Sequence, residues 1–246
     1  MERDKIMAFL RPTQKPLDFN RLEIELAQMA AMVETNLADV IASFERCDVT
    51  SAEDIIDADK RVDQFHHSIE FGVYGLLEAH ALPSPLIREV MTMVKIAADL
   101  ERVGDLTRNV ARRTVIISRD GPGLPHTGVT RMGRICLQQL SDVLNAYTSR
   151  DLTAARAVWI GDNEVDELYH SVFRQIMGAM SEDTNRVKSS THLMFIAKNF
   201  ERVADHATNI AEALHFLVTG EALSAVPPAS KPENPTLVPG PRPPVS

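Results

Sequence analysis

Between Leu17 and Arg46 the apolar residues Leu22, Leu26, Met29, Val33, Leu37, Val40, Ile41 and Phe44 recur at steps of three and four. That period predicts an amphipathic helix over the whole stretch. Thr50 or Ser51, with Glu53 or Asp54 three residues on, then forms a capping box for a second helix that runs past Leu77 to near Leu82. Ser84-Pro85 opens a third helix, a cap followed by proline in the first turn. This helix ends before Asp120-Gly-Pro-Gly-Leu-Pro125, the clearest linker in the chain. No stretch alternates at period two with β-branched residues, so no strand is predicted. Helices of about thirty residues are roughly 45 Å long at ~1.5 Å per residue.

The second half repeats the plan. Asp39-Val40 becomes Asp142-Val143, and Asp48-Val-Thr-x-Ala52 becomes Asp151-Leu-Thr-x-Ala155, at an offset of 103. The third helix returns at an offset of 100: Ile96–Ala111 and Ile196–Ala211 agree at eight of sixteen positions. Three residues are therefore missing between the second and third helices of the second half. The expectation is an all-α chain of two tandem antiparallel three-helix bundles related by a pseudo-twofold. Its parts are an N-terminal arm (1–16), a first bundle (17–119), a linker (120–126), a second bundle (127–220) and a tail (221–246). The tail holds eight of the fourteen prolines between Pro227 and Pro244, with no apolar period, and reads as disordered.

The third helix carries the chemistry. Its polar row is Glu101-Arg102-x-x-Asp105-x-x-x-Asn109, answered by Glu201-Arg202-x-x-Asp205-x-x-x-Asn209. Steps of four place these groups on one face. In the first copy that face continues the apolar line of Val90, Val94 and Ala97, so the carboxylates point at core or groove. Arg102 and Arg202 project about 80° or more from the acids at roughly 100° per residue. On the second helices stand two further pairs, Asp59/Asp63 and Asp162/Asp166. If second and third helices bring their pairs together, the clustered carboxylates must be protonated, paired with a cation or bound to metal. Asn109 and Asn209 can add carbonyl oxygens. Such oxygen-rich sets suit hard or borderline cations: iron, manganese, magnesium or zinc. His67 and His170 occupy equivalent positions and read either as further ligands or as hydrogen-bonded histidines at a helix contact.

Composition narrows the partners. A net charge of −8 and a pI near 5.5 argue against nucleic acid. No apolar run is long enough for membrane insertion, and the charged start Met1-Glu-Arg-Asp-Lys5 does not resemble a signal peptide. Cys47 and Cys136 carry no motif and are expected to be reduced thiols. Neither half has the Glu-x-x-His pairs of a di-iron bundle, nor a Gly-rich phosphate loop.

The doubled Glu-Arg-x-x-Asp-x-x-x-Asn helix, the Asp-x-x-x-Asp pair before it and the duplicated three-helix layout resemble the PhoU family of phosphate-transport accessory proteins, over roughly residues 18–220. The resemblance implies a cytoplasmic, non-enzymatic homodimer that binds metal clusters through these pairs. It also implies negative regulation of the phosphate-starvation response, by contacts with a phosphate ABC transporter's ATPase subunit and a sensor histidine kinase. Residue by residue, the implied ligands are Glu101, Asp105, Glu201 and Asp205, with Asp59, Asp63, Asp162 and Asp166 as second contributors. Leu106 departs from the His common in the family, and the Pro-rich tail is not a family feature. The residues alone leave open a carboxylate-bridged metal enzyme, either hydrolase or oxidase, and a metal-free helical scaffold.

Overall fold

The structure, a computed structural model, describes residues 15–119 and 126–223. They form six long α-helices: α1 (Leu17–Arg46), α2 (Val49–Ala79), α3 (Ser84–Arg119), α4 (Thr127–Ser149), α5 (Leu152–Glu182) and α6 (Val187–Thr219). One turn of 3-10 helix, Thr184–Arg186, precedes α6, and no strand occurs among the described residues. The fold is all-α, with each half an antiparallel three-helix bundle. Most of the linker and nearly all of the Pro-rich tail lie outside the described residues, as does most of the N-terminal arm.

Local chemistry is duplicated along with the pattern. Helices α1 and α4 end on Cys47 (φ 53°) and Arg150 (φ 57°), both left-handed. The next residue caps the following helix. Asp48 accepts from the Ser51 N–H at 3.1 Å, and Asp151 from those of Thr153 and Ala154 at 2.8 and 3.1 Å. The cap of α2 is thus Asp48, not Thr50 or Ser51, because a carboxylate one residue ahead of the helix reaches the free N–H groups of its first turn. The helix also stops at Ala79, short of Leu82. The three residues missing from the second half come off the start of the third helix: α3 has 36 residues, α6 has 33.

Helix α3 packs on α1 and α2, α6 packs on α4 and α5, and α3 and α6 pack on each other as closely as helices within a half. Helices α1 and α4 also touch. One continuous apolar core therefore runs through both bundles, including Leu100, Val103, Phe200 and Val203. Burying such side chains contributes about 1.5–3 kcal/mol each. Polar ties reinforce the join. Asp99 of α3 accepts from His206 at 2.9 Å and from the Asn209 amide at 3.3 Å. Buried Glu89 pairs with Arg150 and, at 3.2 Å, with Lys15. Helices α2 and α5 lie outermost, each against its own third helix. The seams between α2 and α3 and between α5 and α6, one in each half, are the two grooves that carry the acids.

Candidate metal centre

Both grooves gather the acids that the sequence singles out. Gly104 makes the first one narrow: a Cβ there would sit 3.2 Å from Asp59 Oδ1 and from a Val62 methyl. This close crossing sets Asp59, 3 % exposed, against the Glu101–Asp105 turn of α3. Burial, then the Arg108 charge acting in the opposite sense, then Asp63, dominate the Asp59 carboxyl, whose pKa is raised on balance. Glu101 is likewise raised by burial and by Asp105. Asp59, Asp63, Glu101 and Asp105 thus share one electrostatic environment.

In the second groove burial and Asp166 raise Asp162, and burial, Glu201 and Asp162 raise Asp205. The four acids of the second copy are together in the same way. Each group meets the field of its neighbours because a turn of α5 faces a turn of α6.

The two grooves differ in their cations. In the first, Arg108 pairs with Asp59 and, at 2.5 Å, with Asp105. Arg102 does not project away as its helical angle suggests. Its long side chain folds back to lie 3.4 Å from both Glu101 and Asp105. In the second, position 208 is Thr, a hydrogen-bond partner of Asp162. The cation there is Lys198, its Nζ 2.5 Å from both oxygens of Glu201. Arg202 makes no ion pair among the described residues.

The remaining candidates fall outside the grooves' centres. Asn209 turns across to Asp99, and Asn109 is half-buried on α3. His67 and His170 are exposed, so neither is a helix-contact histidine; His170 lies against Tyr169 with ring centroids 5.8 Å apart. Cys47 and Cys136 are free, and Cys136, buried, donates to the Phe200 carbonyl at 3.1 Å. Sequence reasoning missed Arg108 and Lys198. The signal for Arg108 was its place three residues after Asp105.

Donor chemistry fits a hard or borderline divalent cation best in the second groove, where four carboxylates face one lysine. Among the described residues, in neither groove do three carboxylate oxygens converge within 4.8 Å. The first groove fits a metal poorly, because Arg108 already bridges Asp59 and Asp105.

The PhoU domain matches residues 26–114 and again 129–214. The chain belongs to the PhoU family. It is 39% identical over 211 residues to the phosphate-specific transport system accessory protein PhoU homolog of Caulobacter vibrioides, covering 84% of this chain and 90% of the relative. The Rhizobium meliloti homolog is 36% identical over 199 residues, 79% of this chain and 83% of that one. Among solved structures, PhoU from Pseudomonas aeruginosa superposes with a TM-score of 0.81 at 25% identity, covering 83% of this chain and 98% of that chain. The phosphate transport system regulatory protein PhoU from Streptococcus pneumoniae gives 0.77, also at 25% identity, over 85% and 98%. These matches place the chain in a family of phosphate-transport accessory proteins. They include both bundles.

Proposed function

We propose that this chain represses the phosphate-starvation response by protein contacts, linking a phosphate ABC transporter's ATPase subunit to a sensor histidine kinase. It acts in the cytoplasm as a homodimer and not as an enzyme. The carrying observation is that both halves match the PhoU domain, in a chain whose relatives are named phosphate-transport accessory proteins. No helix among the described residues is long and apolar enough to cross a membrane. Long helical faces supply rigid contact surface, and Phe71 and Tyr74 stand exposed on α2, one turn apart, as aromatic anchors of the kind that dominate interfaces. An acidic chain is complementary to basic patches on such partners.

Within this reading Asp162, Asp166, Glu201 and Asp205 hold the metal ion. The test is a strain lacking the gene, assayed for alkaline phosphatase in high phosphate. Constitutive activity is expected, with repression restored by the wild-type chain. Normal repression in the deletion strain would remove the phosphate assignment.

A further inference from the structure

Beside the first carboxylate groove, the helix α2 brings a different donor set together. His66, His67 and Glu70 each offer one ligand atom, and all three atoms lie within 4.8 Å of one another. Among the described residues this is the one such convergence of three. Glu70 is shared between the two imidazoles: Oε1 is 3.7 Å from His66 Nε2 and Oε2 is 3.8 Å from His67 Nδ1. Both separations are too long for hydrogen bonds. Each is about 0.4 Å beyond the ~3.3–3.4 Å edge of a tetrahedral site with metal–ligand bonds of about 2.0–2.1 Å, and each runs to a different Glu70 oxygen, so a bound ion would draw the three groups slightly together. The rings are nearly stacked, with centroids 5.7 Å apart and planes inclined by 27°.

His66 supplies the second observation. Its Nε2 is shut off from solvent yet has no hydrogen-bond partner. A buried nitrogen left unpaired is costly, and a cation held with Glu70 would satisfy it. His66 is half-buried on the side of α2 that lies towards Glu101 of α3. His67 and Glu70 complete the set from the solvent side, one turn apart, where i, i+3 and i, i+4 side chains meet.

We propose that His66, His67 and Glu70 chelate a borderline divalent cation of the zinc class. Imidazole donors select such ions over magnesium, which the all-oxygen grooves suit better. Three protein ligands leave a fourth position for water or for a group from a partner. The site belongs to the first half alone, because at an offset of 103 the matching positions are Tyr169, His170 and Phe173. It is independent of the metal reading for Asp162, Asp166, Glu201 and Asp205, and of the phosphate role.

The test uses the full chain, without a histidine tag, stripped by chelator and titrated with zinc against a chromophoric chelator in excess magnesium. His67→Ala with Glu70→Gln is expected to weaken zinc binding about tenfold or more, since even outer-shell changes cost that much at metal sites. Glu201→Gln with Asp205→Asn is expected to leave this zinc equivalent in place. In the wild-type chain, zinc is expected to shift the imidazole NMR signals of His66 and His67. Unchanged affinity in the His67/Glu70 variant, or imidazole signals that do not move, would overturn the proposal. So would loss of the zinc equivalent only in the Glu201/Asp205 variant.

Discussion

Arg108 of α3 pairs with Asp59 of α2, whereas one hundred residues on, Thr208 takes its place beside Asp162. The two halves thus solve one electrostatic problem in two ways. Asp59 is buried, and without its partner the carboxylate would be stranded beside Asp63 and Asp105. Arg108→Ala is expected to destabilise the fold by about 2–3 kcal/mol, below the ~3–5 kcal/mol of fully buried pairs because Arg108 is partly open to water. Adding Asp59→Asn should recover much of that loss. Denaturant unfolding of the single and double variants checks the coupling. Additive effects would show that the pair does not carry the stability of this groove.

The same asymmetry is expected to sort metal between the halves. Purified chain is expected to lose at least one equivalent of metal when Glu201 and Asp205 are both changed to Ala, and to lose none with Glu101→Ala and Asp105→Ala. Elemental analysis reads both. Equal losses from the two variants would mean that Arg108 yields its place to a cation.

Much of this arrangement was legible in the chain and some was not, for a physical reason. The apolar steps of α1, the repeated Asp48/Asp151 segments and the paired acids all follow from local periodicity, which one helix encodes alone. Arg108 and Lys198 answer charges on a neighbouring turn or a neighbouring helix. Their roles depend on how α2 crosses α3 and how α5 crosses α6, and on a close approach set by Gly104. The Asp99–His206 contact is less legible still, because its partners are 107 residues apart and belong to different halves. Two bundles were readable. Their shared core was not.

Repulsion in the second groove sets a pH dependence for the metal-free protein. Asp205 has its pKa raised above the ordinary 3.8 by burial, then by Glu201 and Asp162. The folded chain therefore holds this proton more tightly than the unfolded one. Its stabilising contribution is complete below the unfolded pKa and is lost as pH rises through the folded value. Asp205→Asn should accordingly raise the metal-free Tm at about pH 7, by about 2–4 °C per kcal/mol of repulsion removed. The gain should shrink as pH is lowered towards about 4. Thermal scans in chelator across this range test the sign. A gain that grows on acidification would contradict it.

The end of α6 is capped by hydrogen bonds among residues 216–221. Gly220, left-handed at φ 77°, donates its N–H to Phe216 at 2.8 Å, and the Glu221 N–H reaches the Thr219 hydroxyl at 3.0 Å. Glycine is the residue that takes this conformation at a helix C-terminus without strain. A substituted Cβ at Gly220 would moreover meet Arg88 at 2.8 Å. Arg88 in turn lies over the Phe216 ring at 5.7 Å, tying the end of α6 to the start of α3. Among the described residues, Arg88, Phe216, Thr219, Gly220 and Glu221 supply the cap and its packing. A chain cut after residue 223 is expected to keep the full-length Tm and to restore phosphatase repression in the deletion strain. If the shortened chain reaches the same abundance and Tm but fails to repress, the tail is a binding element for one of the partners.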